Sequence, residues 1–110
     1  ITKGQDNCLQ ILTKNNWENE ASRMASLPST DRTSRQLRRA LFSGAIDVKI
    51  DSAGRVQIPE NLRIYSGIDI NEDVTVTGSG PVVEVWSTRN WKKIQNEADQ
   101  AFANINEVKG

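Results

Sequence analysis

Two stretches of this sequence, 74 residues apart, carry the same residue order: Gly4, Leu9, Ile11, Thr13, Asn16 and Trp17 correspond in register to Gly78, Val83, Val85, Ser87, Asn90 and Trp91. Six agreements at one offset mark a duplicated unit. Each copy runs from a glycine through a short turn into an alternating apolar strand, then to a hydroxyl residue suited to cap a helix and an Asn-Trp pair that opens a helical pattern. In the second copy Trp91, Ile94, Ala98, Ala101, Phe102 and Ile105 recur on one helical face, and in the first Trp17, Ala21, Met24 and Leu27 do so before Pro28 stops the helix. These positions, with Trp86, read as core rather than as aromatic surfaces for stacking on bases. A chain of 110 residues arranged this way has room for one ordinary domain or two very small ones around a modest core.

The second copy is preceded by a segment with its own pattern. Ile46, Val48 and Ile50 alternate with Asp47, Lys49 and Asp51; after Ser52-Ala53-Gly54 the alternation resumes, with Val56 and Ile58 against Arg55 and Gln57. This predicts a hairpin with one apolar face. Gly54 supplies the positive φ that a three-residue hairpin loop needs, and Asp51 can bond forward to loop backbone groups. Pro59 and Glu60 suit the start of a short helix, and Gly67 its end. Val74 to Thr77 and Val82 to Trp86 predict two further strands joined through Gly78-Ser79-Gly80-Pro81. Applying the offset to Ile46–Asp73 puts its counterpart roughly thirty residues before Ile1. The simplest expectation is therefore a chain that begins on the last strand of a first repeat. A degenerate first repeat is the alternative, and it would leave the strand at Leu9 to Leu12 with few partners.

Composition narrows the chemistry. There is no histidine, and Cys8 is the only cysteine, so neither a Cys/His pair nor a zinc set can be assembled and no internal disulfide can form. No phosphate-binding glycine loop or cooperating carboxylate pair is evident, and the expectation is a non-enzyme with no cofactor and no small-molecule substrate. Neither a membrane-length apolar run nor a signal-peptide pattern occurs, which predicts no membrane partner and a cytoplasmic location. Fourteen basic and fourteen acidic residues cancel, but residues 32 to 63 hold seven basic against three acidic, a net of +4 that leaves −4 elsewhere. A basic middle between acidic flanks points to a local anion-binding surface, or simply to unevenly charged solvated faces. Arg32, Arg35, Arg38 and Arg39 recur at helical spacing beside Leu37 and Leu41 and read first as the solvated side of an amphipathic helix.

The run Asp51-Ser52-Ala53-Gly54-Arg55-Val56-Gln57-Ile58-Pro59, followed by Leu62-Arg63, Gly67, Gly78 and Glu84-Val85-Trp86, resembles the second repeat of the MraZ family. Asp6 to Leu12, Trp17 and the helix ending Arg39-Ala40-Leu41-Phe42 resemble the end of that family's first repeat and its connector. The resemblance implies an α+β fold: an AbrB/SpoVT-like double-split β-barrel built from two tandem repeats, with helices packed outside. On this sequence it divides the chain into residues 1–28 (the end of repeat one), 29–44 (a connecting helix) and 45–110 (repeat two). It also implies a nucleoid-associated transcriptional regulator that binds short direct repeats in double-stranded promoter DNA upstream of the division and cell-wall gene cluster, as a ring-like homo-oligomer. The arginine of the family's Asp-x-x-Gly-Arg loop contacts DNA, and that position is Arg55.

Arginine suits the role, because its planar fork can reach two phosphate oxygens or the O6 and N7 edge of guanine. Arg55 can equally pair with Asp51 and stabilise the turn, and both hold if Asp51 orients Arg55 for its ligand. Lys49 and Arg63 are secondary DNA-binding candidates, with Asp51 and Gly54 as the residues that shape the loop. The rival class is an oligomerisation or antitoxin-like protein-interaction module on the same fold. A disordered acidic tail after a single hairpin domain would favour that rival, whereas here a helix-bearing element runs to Asn106–Gly110.

Overall fold

The computed structural model describes residues 1–105; the end at Asn106–Gly110, and with it the last part of the 45–110 unit, lies outside them. The architecture is α+β, with four helices and a four-stranded antiparallel sheet of order β1-β2-β4-β3 among the described residues. The strands are β1 (Thr2–Lys3), β2 (Leu9–Ile11), β3 (Val74–Ser79) and β4 (Val82–Ser87). The helices are α1 (Lys14–Ala25), α2 (Arg32–Gly44), α3 (Glu60–Ser66) and α4 (Thr88–Ala103).

The two copies seen in the sequence meet at the centre of this sheet. β2 pairs with β4 through Leu9↔Val85, Gln10↔Glu84 and Ile11↔Val83. Gln10 and Glu84 are themselves 74 residues apart, so the pairing is centred on a matched couple, as a local two-fold axis between the copies requires. The helices that follow start alike: Thr13 Oγ1 accepts from the Asn16 amide at 3.2 Å, and Ser87 Oγ accepts from the Asn90 amide at 3.2 Å. Each is an N-cap that satisfies one of the orphan donors of a first turn.

The expectation that the Leu9 strand would lack partners is corrected, for it is flanked on both sides. Gly4 turns the chain back through a short 3-10 turn, Gln5–Asn7, and lets β1 pair with β2. No side chain fits at Gly4, where a Cβ would stand 2.7 Å from Cys8 Sγ and 2.9 Å from Gln10 Cγ. Cys8 is buried there, and burial, followed by the negative charges of Glu84 and Asp6, pushes its thiol up to about 12.

Leu9, Leu62, Ile68 and Val85 form the core, with Ile1, Ile11, Ile58 and Tyr65 packed against it. α3 acts as its lid. Gly67 ends that helix at φ 69°, and Ser66 Oγ donates to the Leu62 carbonyl. Asn90 Nδ2 donates to the Ser66 carbonyl, tying the lid to the start of α4. Thr2 Oγ1 donates to the Leu41 carbonyl at 2.9 Å and fixes α2 against β1. Of the tryptophans, Trp86 is buried, while Trp17 and Trp91 are half-buried beside Phe42 and Trp86, each with ring centroids 5.8 Å apart.

Three other expectations change. β3 and β4 run on through Gly78, Ser79 and Ser87, so the turn narrows to Gly80-Pro81, with Gly80 at φ 61°. The apolar stripe of α4 is not all core, because beyond Ile94 it leaves the sheet and Phe102 is 75% exposed. Most consequential, residues 45–58 are not a paired two-stranded hairpin. They form an arm with one extended limb on each side of the 51–55 loop and no strand ladder between the limbs. The physical reason lies in what the chain offers the arm. Ile46 exchanges two backbone hydrogen bonds with Ile1, both 3.0 Å, and Ile58 is drawn away into the core, so the limbs part. No helix among the described residues is long and apolar enough to cross a membrane.

Candidate functional site

The tip of the arm is the most tightly specified polar feature of the molecule. Asp51 organises it. The Gly54 amide donates to the Asp51 carbonyl at 2.9 Å, and the Asp51 amide donates to the Arg55 carbonyl at 3.0 Å. Gly54 sits at φ 80°, a conformation that costs a side-chain-bearing residue and that glycine takes freely. The Asp51 carboxylate then accepts from the amides of Ala53 at 2.9 Å and Arg55 at 2.8 Å, and from Arg55 Nε at 3.0 Å. The amide of Arg55, with those of Ala53 and the Arg55 side chain behind it, holds the Asp51 carboxyl below the usual aspartate range. Both loop-shaping residues singled out from sequence therefore do shape this loop.

The same geometry disposes Arg55. Its guanidinium is held through Nε alone, while its side chain stays 80% exposed. Both terminal nitrogens, each with two donors, point to no acceptor among the described residues. Turn stabilisation and ligand presentation are thus compatible at this residue: the Asp51 bond fixes the plane of the fork and leaves its outer edge free.

The other two candidates are not gathered at this tip. Lys49 stands two residues before the loop, on the first limb. It borders a groove of about 900 Å³ that runs between the arm and α1 and is lined by Ile11, Leu12, Trp17, Phe42, Ile46 and Ile50. Arg63 is on α3, where its Nε donates back to the Ile58 carbonyl at 3.3 Å, and it lines a separate depression with Ile64, Ile68 and Ile70. The arginines of α2 follow the helix as expected. That helix is capped by Asp31, whose carboxylate accepts from the amide and hydroxyl of Ser34. Arg35 donates to the Ser29 carbonyl at 2.9 Å, and none of the four α2 arginines has a carboxylate partner among the described residues.

Sequence reasoning passed over one polar cluster. Arg89 reaches Glu72 at 3.0 Å and Asp69 at 3.6 Å and donates to the Gly67 carbonyl, pinning the loop before β3 to the start of α4. Glu72 is held below its usual range first by the Asp69 amide and then by Arg89. No motif announces this cluster, since its members are joined only by the fold.

Residues 41–109 match the family model described as "MraZ protein, putative antitoxin-like". The chain belongs to the MraZ family. The MraZ match takes in the whole arm with its Asp51–Arg55 loop, the α3 lid, both long strands and α4, whereas β1, β2 and α1 precede it. The MraZ resemblance read from Asp51 to Pro59 therefore falls inside the matched span.

Proposed function

We propose that this chain is a sequence-specific DNA-binding transcriptional regulator, not an enzyme, and that Arg55 is the residue that meets DNA. One observation carries the reading: an exposed arginine at the tip of a projecting arm, its fork fixed through Nε by Asp51 with the outer edge unengaged. A fixed fork loses less freedom on binding and can address two acceptors at once, on a phosphate or on a guanine edge. Lys49 and Arg63 add positive charge near the arm as secondary contacts. The partners in this reading are double-stranded promoter DNA carrying short direct repeats, upstream of division and cell-wall genes, and further copies of the chain in a ring-like homo-oligomer. It needs no cofactor, small-molecule substrate or membrane, and its place is the cytoplasm, at the nucleoid.

The fold we infer for it is the double-split barrel on tandem units, with boundaries at 1–28, 29–44 and 45–110. The symmetric β2–β4 register and the matching Thr13 and Ser87 caps support this duplication.

The test is the affinity of the chain and of Arg55→Ala for a labelled duplex bearing the direct repeats, measured by anisotropy across a salt series. The expected result is a loss of about tenfold or more for the variant, with an unchanged circular dichroism spectrum. Wild-type binding should fall steeply with salt, by about 0.9 log units per log unit for each phosphate contacted. Equal affinity of the two proteins would make Arg55 a turn residue only. The second reading, a protein-interaction module, is favoured by the apolar groove beside the arm; it predicts no salt-dependent affinity for any duplex.

A further inference from the structure

The arm has an unused edge. Ile46 turns its backbone N–H and C=O to Ile1, yet the amides and carbonyls of residues 47 to 50 make no hydrogen bond among the described residues. Ile46 and Ile50 are exposed, Ile50 by 64%, along the mouth of the apolar groove. Extended backbone with unpaired donors beside exposed isoleucines is a template for another strand.

The residue order on that edge says which strand. Written against itself in antiparallel sense and centred on Val48, the segment Ile46-Asp47-Val48-Lys49-Ile50 sets Ile46 opposite the partner's Ile50, Val48 opposite the partner's Val48, and Asp47 opposite the partner's Lys49. All the apolar pairs fall on one face and both opposite-charge pairs on the other. Neighbouring registers fail. A shift of one residue sets isoleucine against lysine across the faces, and a shift of two sets Asp47 against Asp47 or Lys49 against Lys49, which is destabilising.

Hydrogen-bond parity agrees with the centred register. In an extended strand alternate residues direct their polar groups to opposite edges, so with Ile46 turned to β1, Asp47 and Lys49 face the free edge. The centred register makes Asp47 and the partner's Lys49 a hydrogen-bonded pair on each side of a non-bonded Val48 pair. Pattern, charge and backbone thus select the same pairing.

We infer that this edge is a self-recognition surface: two copies of the chain join arm to arm, antiparallel about Val48, and cover each other's Ile46 and Ile50. The inference rests on the self-association in the reading above and supplies its contact, but it does not depend on DNA.

The test uses the whole chain without DNA. Sedimentation velocity is run on wild type, Asp47→Lys, Lys49→Asp and the double exchange, and Val48→Cys is oxidised with oxidised glutathione beside a Ser52→Cys control. The expected result is a dimer weakened about tenfold or more by either single reversal and restored by the double exchange. Val48→Cys should give a disulfide-linked dimer because non-bonded antiparallel partners bring their Cα atoms to about 4.5 Å, and Ser52→Cys should not. A dimer indifferent to both reversals, or a Val48→Cys protein that resists crosslinking, overturns the arm contact and leaves self-association standing. A chain that stays monomeric up to about 1 mM overturns both.

Discussion

The seam between β2 and β4 and the arm of residues 45–58 are written in the same alphabet, apolar and polar residues in alternation, yet only the seam becomes sheet. Leu9 is fully buried because β2 has a strand on each side and the α3 lid above, with Leu62 pressing on the same core. Ile50, in an equally regular alternation, is left largely exposed because the arm finds only Ile1 to pair with. Alternation states a capacity to pair; whether the capacity is used depends on which edges the rest of the chain brings up. The seam is a structure completed within one chain, and the arm is a structure waiting for a second molecule.

The widest gap between the two regions should appear on truncating one isoleucine or leucine in each. Leu9→Ala removes a fully buried side chain and is expected to cost about 2–5 kcal/mol in urea unfolding, because the surrounding core relaxes only in part. Ile50→Ala, at a concentration where the chain is monomeric, is expected to change stability by less than about 0.5 kcal/mol. Similar losses at the two positions would mean that the arm is packed as firmly as the seam.

A smaller and more discriminating effect concerns the symmetry of the seam. Thr13→Ala and Ser87→Ala each remove one N-cap bond of the same length, and each is expected to cost about 1 kcal/mol. Losses that differ several-fold, read from the same unfolding curves, would break the equivalence of the two copies.

The smallest effect belongs to the arm and is a pH dependence. The folded Asp51 carboxyl is held below its unfolded value, so its contribution to loop order is complete above the usual aspartate range and is lost as pH falls through the lower, folded value. An NMR titration should place the Asp51 carboxyl midpoint below that of an unstructured aspartate. The Ala53 and Arg55 amide shifts should move with it. A midpoint at or above the unstructured value would contradict the hydrogen-bonded loop.

These contrasts also mark what could be read from residues alone. The duplication at one offset foretold both helix caps, and Gly54 with Asp51 foretold the loop, because those features are local: a hydroxyl three residues before an amide, a glycine at a positive φ. The pairing of β2 with both β1 and β4 was not legible, since it joins residues some 74 apart in the chain, and nothing in either strand names its neighbour. The parting of the arm was hidden for the same reason. It depends on Ile58 being drawn into a core assembled from Leu9, Leu62 and Val85. Of the candidate DNA contacts, Arg55 was legible because its own loop fixes it, whereas the separation of Lys49 and Arg63 into two different depressions follows from where α3 lands on the sheet.

Amide hydrogen exchange tests the contrast between completed seam and open arm most directly. On a dilute, monomeric chain the amides of β2 and β4 should exchange only through global unfolding, while those of residues 47 to 50 should exchange at nearly the rate of free peptide. Raising the protein concentration should then slow the Asp47 and Lys49 amides and leave the seam unchanged. Arm amides already as protected as the seam in the dilute chain would contradict the account.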